Sequence, residues 1–251
     1  MTILFISPPF GNYFPEWIIN KYVLTNSNTT IDTNTKSIVG SFTAEPRSGL
    51  FSHILKTLRY STDYGGWVNK IGLRNKGIDW AIEKYYKQKD IIVSVAIIEN
   101  KDIFNIANKI PEDLNIEVNI SCPNVDKSNY FNDLNYFLNP TREWCIIKLS
   151  PLVTDTEIDA LYATGWRQFH CCNTVPVLEG GLSGKSIKPY TLKHSSYISE
   201  KYPDATIIAG GGIENLDDIN EYKKNGAHNY SVSTLLFNPY KFYSFLKTLN
   251  E

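Results

Sequence analysis

Eight short runs rich in β-branched and aromatic side chains recur along the chain, and they constrain its fold more than any other feature. They are ILFIS (3–7), SIVGSF (37–42), IIVSVA (91–96), IEVNIS (116–121), WCIIKL (144–149), RQFHCC (167–172), TIIAG (206–210) and NYSVS (229–233). Segments of helical period separate the later runs. IFNIANKI follows Asp102, and IDALYAT carries Thr154 and Glu157 in capping-box spacing with Gly165 as a stop. NLDDINEYKKNG repeats the arrangement, with Asn215 as cap, Leu216, Ile219 and Tyr222 on one face, and Gly226 at the end. Buried strands alternating with helices predict an α/β fold, a (β/α)8 TIM barrel forming a single domain over residues 1–251. A doubly wound open sheet is the alternative, and a barrel would place its functional face at the carboxyl ends of the strands.

The length of 251 residues suits one such barrel. A chain that is 42% hydrophobic and 20% charged, with a formal net charge of -1, gives no electrostatic reason to expect a nucleic-acid partner. Cys122, Cys145, Cys171 and Cys172 lack the paired spacing of a secreted disulfide framework, which predicts reduced thiols and a cytoplasmic location. The adjacent pair Cys171 and Cys172 is poor metal-ligand spacing, and no metal is expected. The start, MTILFISPPFGNYF, has no basic region and too short an apolar run for a signal peptide, and no run approaches membrane-spanning length. Residues 43–76 read as one long irregular connection, functional or disordered, and residues 25–36 as a solvated polar link.

Read only at their carboxyl ends, the runs supply Pro9 to Gly11, Gly40 with Ser41, Ser94, Asn119 with Cys122 and Asn124, Lys148, Asn173 with Thr174, Gly210 to Gly212, and Ser233 with Thr234. Glycines in such places bring backbone N–H groups onto a phosphate. GGGI (210–213) alone fits a tight strand-to-helix turn equally well, and the Ser233 and Thr234 pair closing the next strand tilts it toward phosphate. GGLSGKSIKP (180–189) is either a flexible connection or backbone approaching a ligand. Lys148 is either a solvated strand-end group or a cation that stabilises negative charge on a bound cofactor ring. Cys122 sits in EVNISCPNVD (117–126), where the following proline favours an extended backbone and two asparagines flank the thiol. An ordinary pKa of about 8.5 suits it to general-base work. The other reading is a half-buried unreactive thiol, and Cys145, Cys171 and Cys172, inside apolar runs, take that reading.

Together the TAEPRSG stretch, NKIGLRNKG, NISCPNV, IKLSP followed by VTD, and GGLSGKSIKP resemble the dihydroorotate dehydrogenase family, class 1, closest to its B-type catalytic subunit. The resemblance implies an FMN-containing barrel that oxidises (S)-dihydroorotate to orotate in de novo pyrimidine biosynthesis. It implies that Cys122 removes a proton from C5 while hydride leaves C6 for flavin N5, with Asn119 and Asn124 binding the pyrimidine. Asn69, Ile71, Gly72 and Leu73 would contact orotate, and Asn173 with Thr174 its other edge. Lys148 would face flavin N1. Gly184, Gly211, Gly212, Ser233 and Thr234 would line the flavin and its phosphate, Gly11, Gly40 and Ser41 its opposite side, with Ser94, Asn119 and Cys172 completing the lining.

The chain departs from the family at several of these places. Gly40 stands where class 1 has a lysine, Phe10 where a small serine is usual, Ser94 where an asparagine is expected, and Ser233 where a Gly-Thr pair begins. TVPVLE, between Asn173 and Gly180, is shorter than in B-type enzymes. Two alternatives follow: an FMN-dependent oxidoreductase acting on another pyrimidine-like ring, or a flavin- or pyrimidine-binding paralogue without turnover. Retention of Cys122, Lys148 and both asparagines speaks against the second. Family members are commonly homodimers. B-type relatives pass electrons to a partner subunit carrying FAD and an iron-sulfur cluster, and A-type relatives use fumarate.

Overall fold

Strands that are apolar on both faces need cover from both sides, and this chain provides it by closing them on themselves and laying helices outside. The computed structural model describes residues 2–12, 34–120 and 127–249. Its strands are β1 (Ile3–Ile6), β2 (Asn34–Phe42), β3 (Arg59–Ser61), β4 (Gly66–Asn69), β5 (Ile91–Ala96), β6 (Ile116–Asn119), β7 (Cys145–Lys148), β8 (Gln168–Cys171), β9 (Val175–Val177), β10 (Gly180–Ser183), β11 (Thr206–Gly210) and β12 (Asn229–Val232). Eight of them close a barrel in the order β1, β12, β11, β8, β7, β6, β5, β2, and every pairing around it is parallel. This is the predicted (β/α)8 barrel, and its eight strands are the eight runs.

Alternation along each strand separates two apolar layers. One parity joins the helices outside, as with Leu4, Ile6, Val39, Val93, Val95, Ile147 and Ile207. The other meets across the barrel axis, where Phe5, Ile38, Ile92, Ile146 and Ile208 pack with Trp144 in a cluster of their own. One step nearer the carboxyl ends the same parity turns polar, at Ser7, Ser94, Lys148, His170 and Ser231. The barrel is therefore plugged with hydrocarbon at one end and polar toward its mouth.

The helix Asp155–Ala163 opens with the expected capping box, Thr154 Oγ1 accepting from Glu157 N at 3.2 Å and Glu157 Oε2 from Thr154 N at 2.9 Å. Gly165, at φ 110°, follows its end. The helix Asn100–Ala107 begins before Asp102, which serves as the third residue of a capping box with Glu99. In the helix Leu216–Lys224, Asn215 caps as expected and Ile219 and Tyr222 are buried. Leu216 is not on that face. It is 36% exposed, and Asp218 turns inward instead, because its carboxylate pairs with Lys188 Nζ at 2.6 Å and accepts from Glu214 N at 2.8 Å.

Two longer stretches also depart from the sequence expectation. Residues 43–76 are not an irregular connection: they contain the helix Leu50–Thr57 together with β3 and β4. These two strands join β10 and β9 in a four-stranded antiparallel sheet of order β3, β4, β10, β9. The polar stretch 25–36 does not stay solvated at its end, since Asn34–Lys36 opens β2 and Thr35 and Lys36 are buried. The Lys36 ammonium reaches Asp90 at 3.5 Å and Glu143 at 3.8 Å, so its stem is buried while its charge remains paired. Among the described residues no helix is long and apolar enough to cross a membrane.

Candidate active site

Two cavities open at the carboxyl ends of the barrel strands, one of about 1070 Å³ and one of about 110 Å³. Lys148, Asn173, Thr174, Ser233 and Thr234 line both, so the smaller continues from the larger. Gly40, Ser41, Asn69, Ile71, Gly72, Leu73 and Asn119 line the larger. Cys172, Gly184, Gly211 and Gly212 line the smaller. No Asp or Glu lines either cavity among the described residues, while Arg47, Lys70, Arg74, Lys76, Lys84 and Lys148 line the larger. Such a lining suits anionic ligands. Cys122 and Asn124 lie outside the described residues.

The two glycine-rich stretches meet at the smaller cavity. A Cβ on Gly211 would lie 2.7 Å from Ile187 Cβ, and one on Gly212 2.6 Å from Lys185 Cα. Their φ values of 101° and 70° also exclude most side chains. GGLS is therefore no flexible connection. It forms β10, pairing with β4 and β9 and roofing the mouth.

Gly11 and Ser94 stand apart from both cavities. A Cβ on Gly11 would lie 2.0 Å from the Ile38 carbonyl oxygen, which makes it a packing glycine against β2. Ser94 is fully buried inside the barrel. Gly40 lines the larger cavity at φ 119°, and a Cβ there would come within 2.5 Å of the Ser94 carbonyl oxygen. This backbone has no room for a side chain at position 40. Phe10 packs edge-on against Phe237, with centroids 5.0 Å apart.

Two residues that sequence reasoning did not single out dominate the electrostatics. Glu117 on β6 and His170 on β8 are 0% and 2% exposed, with His170 Nδ1 2.6 Å from Glu117 Oε2. The other carboxylate oxygen accepts from Ser94 Oγ at 2.9 Å and faces Lys148 Nζ at 3.5 Å. Burial alone would raise the Glu117 carboxyl, but the Lys148 ammonium, His170 and the Ser94 hydroxyl hold it down to about 2. Burial, reinforced by Lys148, lowers the His170 pKa. The pair is a neutral imidazole donating Nδ1–H to a carboxylate. Strand parity could have found both: Glu117 precedes Asn119 by two positions, and His170 precedes Cys172 by two.

From this carboxylate a chain of hydrogen bonds runs outward. Ser41 Oγ lies 2.8 Å from Ser94 Oγ, Asn119 Nδ2 donates to Ser41 Oγ at 3.2 Å, and Asn173 Nδ2 donates to Asn119 Oδ1 at 2.9 Å. Asn173 Oδ1 accepts from Thr174 N at 2.8 Å. The remaining thiols are quiet. Burial pushes Cys145 up to about 11, and the hydrogen bond that the Cys171 thiol donates to Cys172, then burial, raises Cys171.

A parallel barrel whose strand ends gather cations, amides and glycine turns around joined cavities is a (β/α)8-barrel enzyme. The family model for dihydroorotate dehydrogenase matches residues 25–250, and the chain belongs to that family, aligning with its class 1, B-type catalytic subunits. The dihydroorotate dehydrogenase B (NAD(+)) catalytic subunit of Desulforamulus reducens is 34% identical over 237 residues, covering 81% of this chain and 76% of its own. That of Lachnoclostridium phytofermentans is 31% identical over 229 residues, covering 77% and 75%. Among solved structures, DHODH from Eimeria tenella in complex with ferulenol shares the fold at a TM-score of 0.64 and 19% identity, over 84% of this chain and 73% of that one.

Proposed function

We propose that this protein oxidises (S)-dihydroorotate to orotate in de novo pyrimidine biosynthesis, as a cytoplasmic FMN enzyme. The observation that carries this reading is the convergence of Asn119, Lys148, Asn173 and Thr174 on two joined cavities with no carboxylate in their lining among the described residues. The donor set fits FMN. Gly211, Gly212 and Ser233 offer backbone N–H groups and Thr234 a hydroxyl for a phosphate at the smaller cavity, while the Ser233 hydroxyl donates to the Pro8 carbonyl at 2.9 Å, and Lys148 stands where the smaller cavity continues into the larger. When bound, FMN supplies a two-electron acceptor for the hydride from C6. Cys122 takes the C5 proton as general base, Asn69, Asn119, Asn124 and Asn173 hold the ring, and the backbone of Ile71, Gly72 and Leu73 meets the substrate. Lys148 stabilises negative charge that develops in the transition state. The working form is a homodimer, joined by an electron-transfer subunit with FAD and an iron-sulfur cluster. That the relatives are catalytic subunits of an NAD(+) enzyme supports that partner.

Anaerobic addition of dihydroorotate to the purified yellow protein tests the proposal. Bleaching of flavin absorbance with formation of orotate is the expected outcome, and colourless protein that FMN does not reconstitute overturns it. The crowding at Gly40 favours one second reading, a related ring without the carboxylate that the class 1 lysine would meet. Dihydrouracil bleaching the flavin faster than dihydroorotate would select it.

A further inference from the structure

The chain of hydrogen bonds below the mouth has a direction. Asn173 Oδ1 accepts from the Thr174 backbone N–H, which leaves its Nδ2 to donate to Asn119 Oδ1. Asn119 in turn donates through Nδ2 to Ser41 Oγ. At the other end an ionised carboxylate can only accept, so Ser94 donates to Glu117, and Ser41 must then donate to Ser94. Every link points the same way, from the cavity wall to one buried carboxylate. Chains aligned in this way polarise one another, and reversing a single member leaves two donors or two acceptors face to face.

We propose that Glu117 is a positioning residue that sets, through Ser94 and Ser41, which edge of the Asn119 and Asn173 amides faces the cavity, and so which pattern of ring donors and acceptors the site accepts. The inference rests on the reading that these asparagines hold a pyrimidine. His170 keeps the carboxylate in place from the far side: its Nδ1–H is spent on Oε2, and its other edge packs over Gly210, where a Cβ would lie 3.2 Å from Nε2. Lys148 supplies the opposing charge at 3.5 Å. With neutral His170, this cluster keeps Glu117 ionised although the side chain is fully buried. Glu117→Gln puts an NH2 donor at the foot of the chain and drives it backwards.

Two variants of the FMN-loaded chain separate this role from charge alone. Ser94→Ala removes the link and leaves the Glu117, His170 and Lys148 cluster intact. Glu117→Gln changes both. Orotate affinity measured by calorimetry should fall roughly tenfold in each, about the loss expected from one mispaired hydrogen bond, with FMN content per chain unchanged in Ser94→Ala. The preference for orotate over 5-azaorotate, which carries a ring acceptor in place of C5–H, should narrow in both variants. The flavin midpoint potential should move in Glu117→Gln and stay at the wild-type value in Ser94→Ala. Wild-type affinity and preference in a folded Ser94→Ala protein would overturn the inference while leaving the proposed reaction standing, as would lowered thermal stability with unchanged ligand selectivity. Wild-type protein that binds FMN but no orotate would overturn the pyrimidine reading, and this inference with it.

Discussion

Cys122 and Lys148 divide the proposed chemistry between a proton and a charge, and substitution should separate them. Cys122→Ala should retain its flavin spectrum and bind orotate nearly as wild type, because a small thiol contributes little to holding the ring. Anaerobic reduction by dihydroorotate should slow by about 10²–10⁴-fold, the usual contribution of a positioned base. A wild-type reduction rate in this variant would make the thiol a packing residue. Lys148→Ala should lose more in the rate of flavin reduction than in orotate affinity, since the ammonium acts on charge that develops during the reaction. Stopped-flow reduction and orotate titration report the two quantities separately, and equal losses would make Lys148 an ordinary binding group. The variant also strips Glu117 of its counter-charge, so its stability should be checked beside its kinetics.

At the level of elements, caps and strand partners decide what holds. Thr154 joins its helix to the chain arriving from β7 through both bonds of a capping box. Thr154→Ala should cost about 1 kcal/mol, read as a lower urea midpoint with an unchanged denaturant slope. The box was legible in the sequence because its spacing is local, as were the eight barrel strands, whose apolar runs are long enough to stand out. The small sheet was not legible. Arg59–Ser61 and Gly180–Ser183 carry no apolar alternation and become strands only by pairing, and Leu182 on β10 meets Val68 on β4 across more than a hundred residues of sequence. Asp218 was hidden for a related reason. Its inward turn depends on Lys188, which belongs to another helix.

Across the whole molecule, buried ionisable groups shape the response to acid. Burial holds His170 and His194 below their ordinary pKa of 6.5, and Glu117 is held at about 2 against an ordinary 4.5. Each of these folded-state values is depressed, so the unfolded chain binds more protons in the corresponding window and the native state loses stability as pH falls. Urea midpoints should therefore drop first as pH passes below 6.5 and again between about 4.5 and 2, and Glu117→Gln should flatten the second drop. A midpoint unchanged between pH 7 and pH 3 would contradict the assigned charge states. The roof over the mouth carries a different consequence. Because β3 and β4 come from one excursion of the chain and β9 and β10 from another, their edges are cut to one length. Tyr64 OH, donating to Glu179 at 2.9 Å, and Ser186 Oγ, donating to the Tyr64 carbonyl at 3.1 Å, tie the two together. Neither excursion can be lengthened, trimmed or exchanged with a relative's alone, so a chimera that swaps only one should lose the entrance while keeping the barrel.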